Sequence, residues 1–318
     1  MEVKQVLEEV WELGYFKIAP NERPVLIAPK FSVHKDRLFL VLQYLKDYFE
    51  HHPEEKLECF FTCYDGFREH SEFSENPIFV EATPELLQLY KGKGSAGEPG
   101  RFVQPRNMKD IYPKFQLPVL AMGRHITDPN VLLIPDTDFI KSRGYVELRK
   151  EILENDIPFE DKINKIFWRG GAHGPALKTY DPVHEPTRKQ RQICVDVSKE
   201  NGDIFDAEFS YSTTKKEMLK YKYALDIDGE QVAWSGAYWK FLSNSVVFKV
   251  WTFWEQWYYK DLKPWIHYIP VKGDLSDIRE KYEWAIANEE ECKKISERAT
   301  EFIKGITYES SIKKYKIQ

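Results

Sequence analysis

Residues 167–174, Phe-Trp-Arg-Gly-Gly-Ala-His-Gly, set an arginine and three glycines directly behind an apolar run. Backbone without side chains can approach a phosphate and donate amide hydrogens to it, so Gly170 and Gly171 could form a cradle to which Arg169 adds charge. A glycine-rich turn with a surface arginine is the competing reading. The segment has neither the Lys-Ser/Thr ending of a P-loop nor a complete Gly-x-Gly-x-x-Gly, which argues against ATPase and dinucleotide chemistry. Arg191 follows on the next helical pattern, with Arg188 as its rival. A planar guanidinium suits a diphosphate, although a solvated helix charge is the plainer use. Asp65 ends the run KLECFFTCYDG (56–66), where a carboxylate could accept the proton of an attacking hydroxyl or simply open an Asp-Gly turn. Two further acidic motifs, DTD (136–138) and DID (226–228), invite a divalent-metal reading, but short acid pairs are common in a chain with 51 Asp and Glu residues, and no tightly bound metal is expected. His173, His184 and His267 lack a metal-helix spacing. The stretch 250–270 carries four tryptophans and Glu255. Aromatic faces and a carboxylate suit a sugar, and the same residues equally suit a core or an interdomain seam.

These residues need elements to hold them. PVLIAP (24–29) reads as a buried strand, residues 36–52 as a helix, 56–66 as a strand, and LPVLAMG (117–123) and NVLLIPD (130–136) as two more. In the second half, residues 164–174 form a strand ending in glycines and residues 188–201 a helix. KYKYALDIDG (220–229) is a strand, and residues 235–250 read as helix, small-residue turn and strand. From 274 to 305 the pattern is helical, with Asp274 or Ser276 as N-cap and Gly305 as stop. Strands alternating with helices predict an open, largely parallel α/β sheet with ligands at the carboxyl ends of its strands. At 318 residues the chain is long enough for two domains, and a boundary near ENDIPFEDK divides it into residues 1–157 and 158–318.

Composition narrows the function. With 42% hydrophobic and 31% charged residues the chain is a folded globular one, and its net charge of −5 gives no pull toward nucleic acid. No run approaches the roughly 18 apolar residues of a membrane span, and the acid-rich N-terminus does not read as a leader. A cytoplasmic protein without a disulfide framework is expected, with Cys59, Cys63, Cys194 and Cys292 as ordinary thiols.

The ordered series IPD, PFEDKINKIFWRG, RQICVDVS, KYKYALDIDG, LSNSVVFK and LKPWIHYIPVKGDLSD resembles glycosyltransferase family 90 over about residues 56–305. The resemblance implies a GT-B type α/β fold, two Rossmann-like domains facing across a cleft. The N-terminal domain would take a glycan or oligosaccharide acceptor and the C-terminal one a UDP-sugar. It implies an inverting transferase using xylose, slightly preferred, or glucose, with the UDP-sugar as co-substrate and no tightly bound cofactor. Asp65 matches the family's base. Arg169, Gly170, Gly171, Arg191 and the turn Ser243, Asn244 and Ser245 match its donor-binding positions, the turn's amides being expected to face phosphate, and Asp226 and Glu255 are assigned to the donor side with them. Gly171 replaces a frequent serine or threonine. Gly236 and Ala237 stand where many relatives have an arginine, leaving Lys240 as the nearest cation. The alternatives are a non-catalytic carbohydrate-binding protein or another nucleotide-sugar-using enzyme, with an NAD-dependent enzyme disfavoured for want of its glycine fingerprint.

Overall fold

The computed structural model describes residues 3–9, 13–29, 35–63, 117–126, 130–172, 190–229, 232–252 and 254–317. The chain divides into two compact units, Met1–Thr137 with Lys316–Gln318, and Asp138–Tyr315.

The first unit holds helix α1 (Val3–Glu9), strands β1 (Gly14–Ile18) and β2 (Val25–Ile27), helix α2 (Lys35–His51) and strands β3 (Leu57–Phe61), β4 (Val119–Ala121) and β5 (Val131–Leu133). Helix α2 buries Val41, Tyr44, Leu45 and Tyr48, the i, i+3, i+4, i+7 stripe of an amphipathic helix. The sheet order is β2-β1-β3-β4-β5. Strands β3, β4 and β5 run parallel, whereas β1 is antiparallel to both β2 and β3, so this sheet is mixed. The expected buried strand at 24–29 is instead an edge strand whose Val25, Leu26 and Ile27 are each more than 40% exposed. Among the described residues its apolar run pairs with β1 alone, a strand that the sequence pattern did not announce.

The second unit begins with α3 (Thr137–Lys141) and α4 (Val146–Asn155). It continues through β6 (Ile163–Gly170), α5 (Gln190–Glu200), β7 (Phe205–Phe209), α6 (Lys215–Met218), β8 (Tyr221–Asp226), α7 (Gly236–Leu242) and β9 (Val246–Val250). Strand β10 (Ile269–Val271) precedes α8 (Ile278–Ala287), α9 (Glu289–Lys304) and α10 (Tyr308–Lys313). Helix α4 belongs to this unit although it lies ahead of residue 158. Arg149 donates to the Tyr238 hydroxyl at 2.5 Å and to the carbonyls of Ile303, Lys304 and Ile306, which ties α4 to α7 and to the end of α9.

All five strands are parallel, in the order β10-β9-β8-β6-β7. Parallel strands covered on both faces read as continuous apolar runs, and β9 is buried at every position. The core joins Ile166, Trp168, Tyr223, Leu225 and Phe248 of the sheet to Ile193 and Cys194 of α5 and Cys292 and Ile295 of α9. The single helix expected over 274–305 is two, α8 and α9, because Asn288 leaves the helical region at φ −127°, ψ 45°. Asp277, not Asp274 or Ser276, sits at the N-cap of α8, and Gly305 ends α9. All four cysteines are buried and unpaired. Among the described residues no helix is long and apolar enough to cross a membrane.

Candidate functional site

In sequence the second sheet runs from β6 out to β7, then returns across β6 to lay β8, β9 and β10 on the other side. Connections therefore leave in opposite directions between β6 and β8. At such a switch point the two departing loops diverge and open a crevice beyond the carboxyl ends of the strands. The loop after β6 carries Gly170 and Gly171, and the loop after β8 carries residues 227–229.

Arg191, the second residue of α5, joins these loops. Its Nη1 donates to the Gly171 carbonyl at 3.0 Å, its Nε to Asp228 O at 2.7 Å and its Nη2 to Ile227 O at 3.3 Å, with the guanidinium 5.4 Å from the Trp168 ring. Burial draws this guanidinium down from its ordinary value, opposed by the nearby carboxylates of Asp228 and Asp226. The structure thus brings Gly171 and Arg191 together, which spacing along the sequence left open, and commits three of the arginine's donors to carbonyls.

Gly171 is also a close-approach position. A Cβ there would lie 2.2 Å from the Tyr211 hydroxyl, so that hydroxyl occupies the space a side chain at 171 would fill. Tyr211 is 82% exposed and lies two residues past the end of β7. A hydroxyl from a neighbouring loop thus stands against the bare Cα of residue 171. The sequence signal was slight, a tyrosine among serines after a strand that itself went unread.

Arg169 is directed elsewhere. Alternation along β6 puts Trp168 on the α5 face and Arg169 on the other. There its Nη2 lies 2.8 Å from Asp206 Oδ1, its Nη1 donates to the carbonyls of Trp168 and Asp206, and its guanidinium stacks 4.3 Å from the Phe167 ring.

Asp226, expected on the donor side, is consumed by structure. Lys240 Nζ lies 2.9 Å from Oδ1 and Lys249 Nζ 3.0 Å from Oδ2, with the aspartate almost fully buried. Burial alone would raise this carboxyl, but the two ammonium groups hold it well below the usual range, and Asp226 in turn raises Lys249. Lys240, the nearest cation in sequence to Gly236 and Ala237, therefore shares one carboxylate with Lys249. Asp228 is pushed upward by burial, and its Oδ2 has no hydrogen-bond partner among the described residues.

The turn of Ser243, Asn244 and Ser245 requires a correction. It joins α7 to β9 and so lies at the amino edge of the parallel sheet, the end opposite the switch-point loops. Its amides are taken: Ser243 N donates to Lys240 O, Asn244 N to the Asp156 carboxylate and Ser245 N to the Ser243 hydroxyl. Ser245 Oγ donates to Tyr221 O, at the start of β8, at 2.8 Å. These small residues close a tight αβ turn and have no amide left for a phosphate.

Glu255 is half-buried in the segment after β9, and its neighbour Gln256 donates to Val232 O. Asp65, Arg188, His173 and His184 lie outside the described residues. Among the described residues, the one group of side chains close enough to share an ion is His52, Glu54 and Glu55, which includes neither acidic motif.

A parallel doubly wound unit with a glycine loop and a buried arginine at its switch point belongs to the ligand-binding α/β class. The family model for glycosyl transferase family 90 matches residues 132–318, and the chain belongs to that family. Protein O-glucosyltransferase 2 of Danio rerio is 34% identical over 160 residues, 45% of this chain and 29% of the relative. Human protein O-glucosyltransferase 3 is 36% identical over 125 residues, 35% of this chain and 24% of the relative. Human protein O-glucosyltransferase 1 is 29% identical over 165 residues, 46% of this chain and 38% of the relative. The matched part is thus well under half the length of these curated relatives. A solved structure of a glycosyltransferase from Rickettsia africae ESF-5 aligns with a TM-score of 0.37 at 12% identity, over 66% of this chain and 65% of that one, too loose a likeness to carry weight here.

Proposed function

We propose that this protein is a glycosyltransferase that moves a sugar from a UDP-sugar to a hydroxyl of a glycan acceptor with inversion at the anomeric carbon. The observation that carries the reading is the switch point, where the turn of Gly170 and Gly171 meets the guanidinium of Arg191. In this reading Asp65 takes the acceptor proton while that oxygen attacks the anomeric carbon. The bond to the diphosphate breaks, and Arg191 with the loop amides stabilises the departing charge. Protein charge then does the work of a metal, and a cytosolic glycan precursor is the acceptor. The resemblance to family members acting on glycans inclines slightly toward xylose, whereas the names of the matched relatives favour glucose, so both donors belong in the first assay.

The test is release of UDP from UDP-glucose and UDP-xylose, with and without a chelator. Turnover should survive chelation. Asp65→Asn should lower turnover by roughly 10²–10⁴-fold, the usual contribution of a general base, while UDP binding measured by calorimetry stays near wild type. Equal turnover of the two proteins would remove residue 65 from the mechanism, and no UDP release from either donor would overturn the reading itself.

A further inference from the structure

A groove of about 470 Å³ runs beside the edge strand β10, lined by Trp251, Trp265, Pro270, Lys272, Asp274 and Lys281 among others. Its size falls within the roughly 300–1,000 Å³ of small-molecule sites. It also separates the two readings left open for the aromatic stretch 250–270. Trp254, Trp257, Tyr258 and Tyr259 are buried and serve as core, whereas Trp251 is 45% and Trp265 39% exposed, both on the groove.

Trp265 is held there against its own backbone preference. Its φ is 63°, a left-handed conformation that glycine adopts freely and a bulky side chain rarely does. The indole is propped against Trp284, with ring centroids 4.7 Å apart at 69°, and Lys281 Nζ lies 5.5 Å from its ring. The opposite wall is pinned by Gln190, whose Nε2 donates to Trp251 O at 3.2 Å and to Gly273 O at 2.9 Å. Gln190 and Arg191 are consecutive, so the start of α5 braces the groove and the switch point together.

The chemistry selects the occupant. Lys272 and Lys281 balance Asp274 and Asp277, and both carboxylates are engaged: Asp274 Oδ1 accepts from Ser276 N at 3.0 Å, and Asp277 accepts from Lys272 N at 2.9 Å and lies 3.6 Å from Lys281 Nζ. A lining without net charge exerts no pull on a phosphate or a nucleic acid. Addition of a peptide strand to β10 is blocked at its centre by Pro270, which has no N–H to offer. Aromatic faces beside mixed donors and acceptors suit a ring with C–H faces and a rim of hydroxyls.

We propose that this groove is a binding site for an uncharged oligosaccharide, with the indoles of Trp251 and Trp265 against pyranose C–H faces and Lys272 and Asp274 on its hydroxyls. The groove lies past the carboxyl ends of β9 and β10, and its binding test does not depend on the transfer reading. It is tested without donor, by tryptophan fluorescence and calorimetry of the full chain with cellotriose, xylotriose and maltotriose. At least one trisaccharide should bind. Trp265→Gly, which suits the backbone at that position, should weaken it by about tenfold, the loss of one stacked ring, with UDP affinity unchanged. Trp251→Ala and the exposed-site change Lys272→Ala should weaken it in the same sense, which covers a folding failure of either tryptophan variant. Absence of binding by all three sugars at millimolar concentration, unchanged binding in the folded variants, or loss of UDP affinity in parallel would each overturn the proposal. Failure of the transfer reading shows instead as missing UDP release.

Discussion

The second unit contains two turns of small residues, and they do opposite things. Gly170 and Gly171 follow β6 at the carboxyl edge, where the loops diverge and Arg191 gathers their carbonyls. Ser243, Asn244 and Ser245 precede β9 at the amino edge, where every amide is consumed within the fold. Either turn, read alone, could be a phosphate cradle. The polarity of a parallel sheet decides between them, because the crevice of a doubly wound unit lies only beyond the carboxyl ends.

The comparison can be broken at three depths. The largest effect is expected beneath the carboxyl edge. If Asp226 serves the fold and not the donor, Lys249→Met should destabilise the unit by about 3–5 kcal/mol, the cost of breaking a buried ion pair, as read by denaturant unfolding. The acid limb supplies the sign. A carboxyl held below its unfolded value contributes fully above the ordinary aspartate range, near about pH 3.9, and that contribution is lost as the pH falls below it. With one ammonium group removed, the folded-state value moves up toward the unfolded one, so Asp226 contributes less and the stability lost on acidification below about pH 3.9 should be smaller than in the wild type. An unchanged acid limb would show that the pair contributes nothing.

Next in size is Arg191→Ala, which strips three carbonyls of their donor. A loss of about 2–3 kcal/mol is expected, together with a UDP affinity reduced by about tenfold or more. Arg191→Lys should fall between, since an ammonium group cannot span both loops. Stability lost with UDP affinity intact would make this residue a strut alone.

The smallest effects separate the two turns directly. Ser245→Ala removes one hydrogen bond to Tyr221 O and should cost about 1 kcal/mol with no change in UDP affinity. Gly171→Ser should leave stability nearly unchanged, because the exposed Tyr211 can swing aside, yet should alter UDP affinity. The reverse pattern, binding changed at 245 and not at 171, would exchange the roles of the two edges.

Much of this was legible before any coordinates. The i, i+3, i+4 stripe of α2, the unbroken apolar runs of β6, β8 and β9, and the glycines behind Trp168 are local patterns, and local patterns survive into the fold because they state which face a residue must bury. Short strands were less visible. Strand β1 and the exposed β2 form a hairpin edge whose apolar content resembles a buried strand, β7 interleaves its apolar residues with two acids, and β10 is only three residues long.

Residue type, spacing and the order of elements therefore determined the α/β class, the family resemblance and the glycine loop behind β6. Tertiary structure alone decided the strand order, and with it the switch point. It sent Arg169 to Asp206 and Arg191 to the loops, matched Asp226 with two lysines, and put the serine turn at the wrong edge for a ligand. The reason is physical. Periodicity along a chain encodes burial, whereas strand order and charge pairing are settled between residues far apart in sequence, by contacts that no local window contains.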